Sequence, residues 1–226
     1  MKITYIHHSC FLVETDTCYY LFDYEKGRLP ELEVTKPIMV FASHGHYDHY
    51  NPEIFPMLVK LGMQNIYGIL SGDIEGPKKE NILKVDPGKQ YTLWLGQELT
   101  TFQSTDLGVA FLIEDQGKVI YHAGDLNEWV WEEESDEYNT QMTKRYRQEI
   151  DLLSKKMNRR QIDVAFLVMD PRQGNDYDRG ICYFLEKVPV LKVYPMHYWR
   201  EPAIINRYLN EHPEYKFQIQ KTEKNI

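Results

Sequence analysis

Cysteine is scarce in this chain. Cys10, Cys18 and Cys182 are the only three among 226 residues. An odd, sparse count makes no disulfide framework and points to a reducing compartment. Long apolar runs are missing too. The longest uninterrupted one, 164–169, has the length of a buried strand and falls far short of the ~20 apolar residues a membrane helix needs. Mean hydropathy, −0.54, agrees. Positive charge is in deficit, with 26 Lys+Arg against 34 Asp+Glu for a net −8. That balance argues against broad binding to a nucleic-acid backbone, but not against a small anionic substrate. The first residues contain no secretory h-region, and no linker, low-complexity tract or repeat is seen. These absences predict a cytoplasmic protein with no membrane partner and disfavour a nucleic-acid one. What is present is a globular composition, 42% hydrophobic and 13% aromatic, enough for one large-cored domain over 1–226.

Periodicity predicts a layered α/β organisation. The segments 3–6, 10–13 and 17–22 are rich in β-branched and aromatic residues and read as strands, opening with a hairpin. The continuous apolar run 38–42 reads as a strand covered on both faces. A helix is expected over 52–61, with Asn51 as N-cap and Gly62 past its end. Residues 109–113 and 119–122 read as a hairpin around Gln116-Gly117. The clearest helix covers 136–158, where Tyr138, Met142, Tyr146, Ile150, Leu153 and Met157 make one apolar stripe. A buried strand over 162–169, helices near 181–188 and 203–211, a strand over 192–196 and a last strand over 215–219 complete the reading. Strands and helices alternate in two successive halves.

The strongest chemical signal is Ser43-His44-Gly45-His46-Tyr47-Asp48-His49, directly after the apolar strand 38–42. His44, His46, Asp48 and His49 put four ligand types within six positions. An alternating His-x-His sets two imidazoles on one side of an extended segment. Neutral imidazole and carboxylate suit zinc and other borderline divalent ions. Gly45 is expected to let the backbone pass close to the ions.

The pattern His44-x-His46-x-Asp48-His49 resembles the signature of the metallo-β-lactamase superfamily. The resemblance implies a four-layer αββα sandwich with metals at strand ends. It also implies a later strand ending in a bridging aspartate, which 119–125 supplies as Asp125, and a last strand ending in histidine, which 193–197 supplies as His197. One element departs. The family carries a further histidine between these motifs, and no histidine occurs here between His49 and His122. A site of Asp48, His49, Asp125 and His197 is therefore complete, while one of His44, His46 and Asp125 lacks its third ligand. Gln103, Ser104 or Asp106 would lie near the gap. One ion, two ions with water in the gap, or an ion other than zinc all remain open, with one or two Zn expected and Mn or Fe as alternatives.

Other residues carry weaker signals. In ascorbate-6-phosphate lactonase-like relatives a histidine at the place of His8 approaches the metal cleft, so His8 is a candidate for substrate contact or ligand support. His122 reads as a supporting or core histidine. Arg172, in Asp170-Pro171-Arg172 after the strand 162–169, is a candidate anion binder or the partner of Asp170 in a turn. Trp129, Trp131, Tyr198 and Trp199 suit the wall of a cleft. The expected chemistry is hydrolysis of an ester, lactone or phosphoester of a small molecule by metal-activated water, with Asp48 orienting the nucleophile. Two alternatives stand beside it: a ribonuclease Z-like phosphodiesterase, disfavoured by the −8 charge, and a weakly catalytic metal-binding module, favoured by the missing histidine.

Overall fold

The computed structural model describes residues 1–76 and 79–221. The chain divides into two compact units, 1–86 and, among the described residues, 87–221. No helix among the described residues is long and apolar enough to cross a membrane.

The first unit is a six-stranded sheet in sequential order β1 (Lys2–His7), β2 (Cys10–Glu14), β3 (Tyr19–Phe22), β4 (Ile38–Ala42), β5 (Ile66–Ser71) and β6 (Ile82–Val85). The pairs β1–β2 and β2–β3 are antiparallel, and β3 to β6 run parallel. All five residues of β4 are buried, as its unbroken apolar run predicts for a strand covered on both faces. One face of the sheet, with Leu12, Leu21, Ile38 and Val40, packs on Ile54 and Leu58 of helix α1 (Ile54–Lys60).

That helix starts later than expected. Asn51 does not cap it; its Oδ1 accepts from the Glu53 amide in a turn that precedes the helix, and the residue at the N-cap position, Glu53, makes no side-chain cap bond. A short Asx turn satisfies Asn51 locally, so the helix begins two residues further on. Gly62 ends it at φ +89° as expected.

The second unit is a six-stranded sheet ordered β12-β11-β10-β9-β8-β7. Its strands are β7 (Gln90–Thr92), β8 (Glu98–Gln103), β9 (Val109–Asp115), β10 (Lys118–His122), β11 (Ile162–Val168) and β12 (Val190–Met196). Strands β7 to β10 pair antiparallel, while β10–β11 and β11–β12 are parallel. The β9–β10 turn puts Gln116 and Gly117 at φ +47° and +77°, both left-handed, the geometry a two-residue hairpin favours.

Helix α2 (Asp136–Met157) is capped by Ser135, whose Oγ accepts from the Tyr138 amide at 3.2 Å, and ends on left-handed Asn158. Met142, Tyr146, Ile150, Leu153 and Met157 are buried along one stripe. Tyr138, expected in that stripe, is exposed, because it lies in the first turn ahead of the part of α2 that meets β8 and helix α3 (Arg179–Lys187). Helix α4 (Ala203–Glu211) follows β12. The strand expected over 215–219 does not form. Pro213 opens a 3₁₀ turn, Pro213–Tyr215, and only Ile219 bridges to Val193, since proline fixes a turn-compatible φ and removes a donor.

Candidate metal centre

In the first unit the ligand candidates gather at the carboxyl end of the parallel strands. β4 runs into Ser43-His44, and His44 Nε2 comes within 3.0 Å of His46 Nδ1. Asp48 and His49 follow in the same loop. His8 lies between β1 and β2, and its Nε2 is 3.5 Å from Asp48 Oδ2, which is 4.0 Å from His49 Nε2. His8 has φ +49°, a left-handed turn position at which glycine is the usual occupant. Gly45 is held from behind by the loop after β5. Its amide donates to Asp73 Oδ2 at 2.8 Å, and a Cβ there would meet the same oxygen at 3.3 Å. The small residue lets Asp73 hold the loop closely.

The main organiser of this half is a residue the sequence reading missed. Asp23 follows β3, the parallel neighbour of β4, and is fully buried at φ +44°. Its Oδ1 accepts from the Ser43 amide at 2.7 Å, and its Oδ2 accepts from Ser43 Oγ and from His49 Nδ1, both at 2.7 Å. A carboxylate only accepts, so His49 carries its proton on Nδ1 and presents Nε2 as a donor pair. Ser43 has given its single proton to Asp23, so its Oγ accepts from His44 Nδ1 at 3.0 Å, which fixes the same tautomer on His44. An acid closing the buried run Tyr20-Leu21-Phe22-Asp23 was the available signal.

The second unit repeats the device. β12 ends at His197, at φ +62°, and Asp170 follows its parallel neighbour β11. Asp170 Oδ2 accepts from His197 Nδ1 at 2.9 Å, so His197 Nε2 is turned toward Asp125 Oδ1, 3.5 Å away. Burial would raise the Asp170 carboxyl, but the hydrogen bonds from His197 and Arg172 outweigh it and hold the group at about 2.

Asp125 sits in the turn after β10. Gly124, at φ +52°, donates its amide to His122 Nδ1 at 3.1 Å, so His122 shapes the turn from a fully buried position. The Asp125 carbonyl accepts from Trp129 Nε1 at 2.9 Å, and Thr105 Oγ1 donates to the Asn127 carbonyl at 2.6 Å. The same β8–β9 connection brings the exposed Asp106 carboxylate within 4.8 Å of that of Asp125. Ser104 Oγ accepts from the Asp106 amide, and Gln103 Nε2 donates to the Ser104 carbonyl. Of the three candidates for the gap, Asp106 is the carboxylate that lies with Asp125.

Beneath this loop, fully buried Glu128 accepts from Thr143 Oγ1 at 3.1 Å and pairs with Arg147 at 3.1 Å and Arg179 at 2.7 Å. The network ties the Asp125 turn to α2 and α3. Gly180 of α3 packs against it so closely that a Cβ would lie 2.0 Å from Asn127 Oδ1.

Arg172 is half exposed. It forks onto Asp170, and its guanidinium lies 4.6 Å from the Trp199 ring and 5.9 Å from Trp131. Trp129 stacks on Trp131 with centroids 5.8 Å apart and meets His197 edge-on at 5.6 Å. Tyr198 is buried.

The donor set in each unit fits a divalent ion. Bonds of about 2.0–2.2 Å place two donors on one ion roughly 3.0–3.5 Å apart, and the pairs above span 3.0–4.0 Å. Three imidazoles also have their tautomers set by acceptors behind them, the arrangement that orients metal-ligating histidine.

Residues 2–140, more than half of the chain, match the family model described as "Beta-lactamase superfamily domain". A comparison with curated proteins gives no match. Among solved structures, Igni18, a metallo hydrolase of the archaeon Ignicoccus hospitalis, superposes with a TM-score of 0.62 at 17% identity, covering 98% of this chain and 94% of that one. A protein of Parabacteroides distasonis designated a metal-dependent hydrolase gives 0.65 at 14% identity, over 98% and 93% of the two chains. CmlA, a diiron β-hydroxylase of Streptomyces venezuelae, gives 0.59 at 14% identity over 97% of this chain and 52% of that one, so this chain spans about half of CmlA. At these identities the likeness is one of fold.

Proposed function

The chain belongs to the metallo-β-lactamase superfamily, and from that premise we propose that it is a metal-dependent hydrolase of a small-molecule ester, lactone or phosphoester. In the first unit His8, His44, His46, Asp48 and His49 would be the metal ligands, and in the second Asp106, Asp125 and His197. In this assignment Asp106 fills the place of the family's missing histidine.

Bound there, divalent ions supply Lewis acidity and lower the pKa of water from 15.7 toward about 7. The chain's own residues do the rest. Asp48 accepts a hydrogen bond from the attacking water and fixes its direction. Asp23 and Asp170 keep His49 and His197 in the ligating tautomer through contacts of 2.7 and 2.9 Å. Arg172, spread over Trp199 at 4.6 Å, offers its outer N–H groups to a carboxylate or phosphate on the substrate. Trp129 and Trp131 form an apolar wall beside it and limit water.

The observation that supports this most is the shared tautomer of His44, His49 and His197, each with Nδ1 directed at a buried acceptor. A histidine-rich loop without a metal role has no need of three such acceptors. The experiment is metal analysis of protein loaded separately with Zn, Mn and Fe, followed by hydrolysis assays on nitrophenyl esters, lactones and phosphodiesters. Activity with at least one metal, abolished in Asp48→Asn and accompanied by metal loss in His197→Ala, is expected. Stoichiometric metal with no hydrolysis in any class would replace this reading with a non-catalytic metal-binding module.

A further inference from the structure

Away from the strand ends, the second unit gathers a second kind of ligand set. Asp178 stands at the N-cap of α3, Cys182 lies one turn further along the same helix, and His212 is the C-cap of α4. The i, i+4 spacing sets Asp178 and Cys182 on one helix face, and the end of α4 brings His212 against it. His212 Nε2 is 2.8 Å from Asp178 Oδ2, Cys182 Sγ is 3.7 Å from that nitrogen, and Sγ is 3.9 Å from the carboxylate oxygen.

We propose that Asp178, Cys182 and His212 form a separate site for a zinc-class divalent ion. Around a tetrahedral ion with bonds of about 2.0 Å to N and O and 2.3 Å to S, the donor atoms stand roughly 3.3–3.6 Å apart. The observed triangle, 2.8, 3.7 and 3.9 Å, needs shifts of a few tenths of an ångström to match. The mixture of thiol, imidazole and carboxylate selects a borderline ion over calcium or magnesium, which take oxygen alone.

The surroundings suit a cation. Glu214 lies 3.8 Å from His212 Nδ1, on the side of the ring away from the site, where a carboxylate orients a ligating histidine. The nearby cations are engaged elsewhere: Arg147 with Glu128, Arg179 with Glu128 and Asp176, and Lys187 with Glu186. The three residues line an open surface cavity of about 670 Å³, so an ion and a completing water have a path in. A Cys-His nucleophile is disfavoured. Burial, with Asp178 and Glu214 adding to it, pushes the Cys182 thiol up to about 11, and Cys182 and Asp178 address the same nitrogen of His212, so no base relay is formed.

The bland reading is an Asp178–His212 ion pair that staples α3 to α4, and spectroscopy separates the two. Cobalt(II) is titrated into the metal-stripped full chain, and the near-ultraviolet thiolate-to-cobalt charge-transfer band is followed. The proposed catalytic centre contains no cysteine, and Cys10 and Cys18 are fully buried, so the band reports Cys182 alone, whatever happens at that centre. Expected are a band in the wild type, its loss in Cys182→Ser and one ion fewer per chain, with hydrolysis unchanged. Absence of the band at saturating cobalt, or its survival in Cys182→Ser, overturns the site. A second measurement on the wild type covers the case of a variant that does not fold. Zinc is expected to slow alkylation of Cys182 mapped by mass spectrometry, and labelling that zinc leaves unaltered overturns the site equally.

Discussion

Asp23→Asn separates ligand orientation from bulk, because the two side chains have nearly the same shape. Asp23 makes three bonds of 2.7 Å, to the Ser43 amide, Ser43 Oγ and His49 Nδ1. In the variant the one remaining oxygen stays on the Ser43 amide, and an NH₂ group faces His49 Nδ1. Two donors then oppose each other unless His49 moves its proton to Nε2, the nitrogen proposed to hold the ion. Keeping the ligating tautomer therefore forfeits a charge-assisted bond worth about 1.5–3 kcal/mol. The corresponding loss of metal affinity is about 10–100-fold, or roughly 1.4–2.7 kcal/mol. Competition against a chromophoric chelator measures it, with the melting temperature of the ion-free protein as control. Wild-type affinity in Asp23→Asn would refute the tautomer argument. So would an affinity loss no larger than the loss of ion-free stability, because the residue would then be acting only on the fold.

Two further predictions concern stability. Gly180→Ala gains about 1 kcal/mol of helix propensity, but its Cβ would lie 2.0 Å from Asn127 Oδ1, and overpacking costs about 1–3 kcal/mol. A net loss of up to about 2 kcal/mol is expected in urea unfolding, and a more stable variant would contradict the packing. In the ion-free protein, Asp170 is depressed from 3.8 to about 2. Its contribution, about 2 kcal/mol, is fully present above the unfolded value and is lost as pH falls from about 4 through about 2. Denaturant midpoints taken from pH 5 to pH 2 should show a steeper loss in wild type than in Asp170→Asn, and parallel curves would count against the assignment.

The elements that the sequence made legible are those whose stability is local or strongly periodic. The apolar run of β4, the stripe of α2 from Met142 to Met157 and the Gln116-Gly117 turn each announce themselves within a few residues. The candidate loop 44–49 stood out because four side chains of ligand type fall on one short segment. The buttresses did not. Asp23 and Asp170 act on histidines 26 and 27 positions away along the chain, and only the parallel pairing of β3 with β4 and of β11 with β12 brings them together. Asp73 reaches Gly45 in the same way, from the loop after β5. The misread segments were decided by competition between neighbours. Asn51 spends its side chain in a turn, the 3₁₀ turn opened by Pro213 takes in Tyr215 at the start of the expected strand 215–219, and Tyr138 has the right spacing but is exposed in the first turn of α2. Asp178, Cys182 and His212 were invisible for want of any motif, since α3 and α4 meet only in the folded chain.

His49 and His197 are buttressed by one construction plan used in both units. In each unit an antiparallel run leads into parallel strands; an acid closes one parallel strand and a histidine-bearing loop closes the next. The chain shows no repeat in its letters, yet one construction plan occurs twice. The same local support, a carboxylate that steadies an imidazole across a parallel strand pair, is therefore built twice from segments of unrelated sequence.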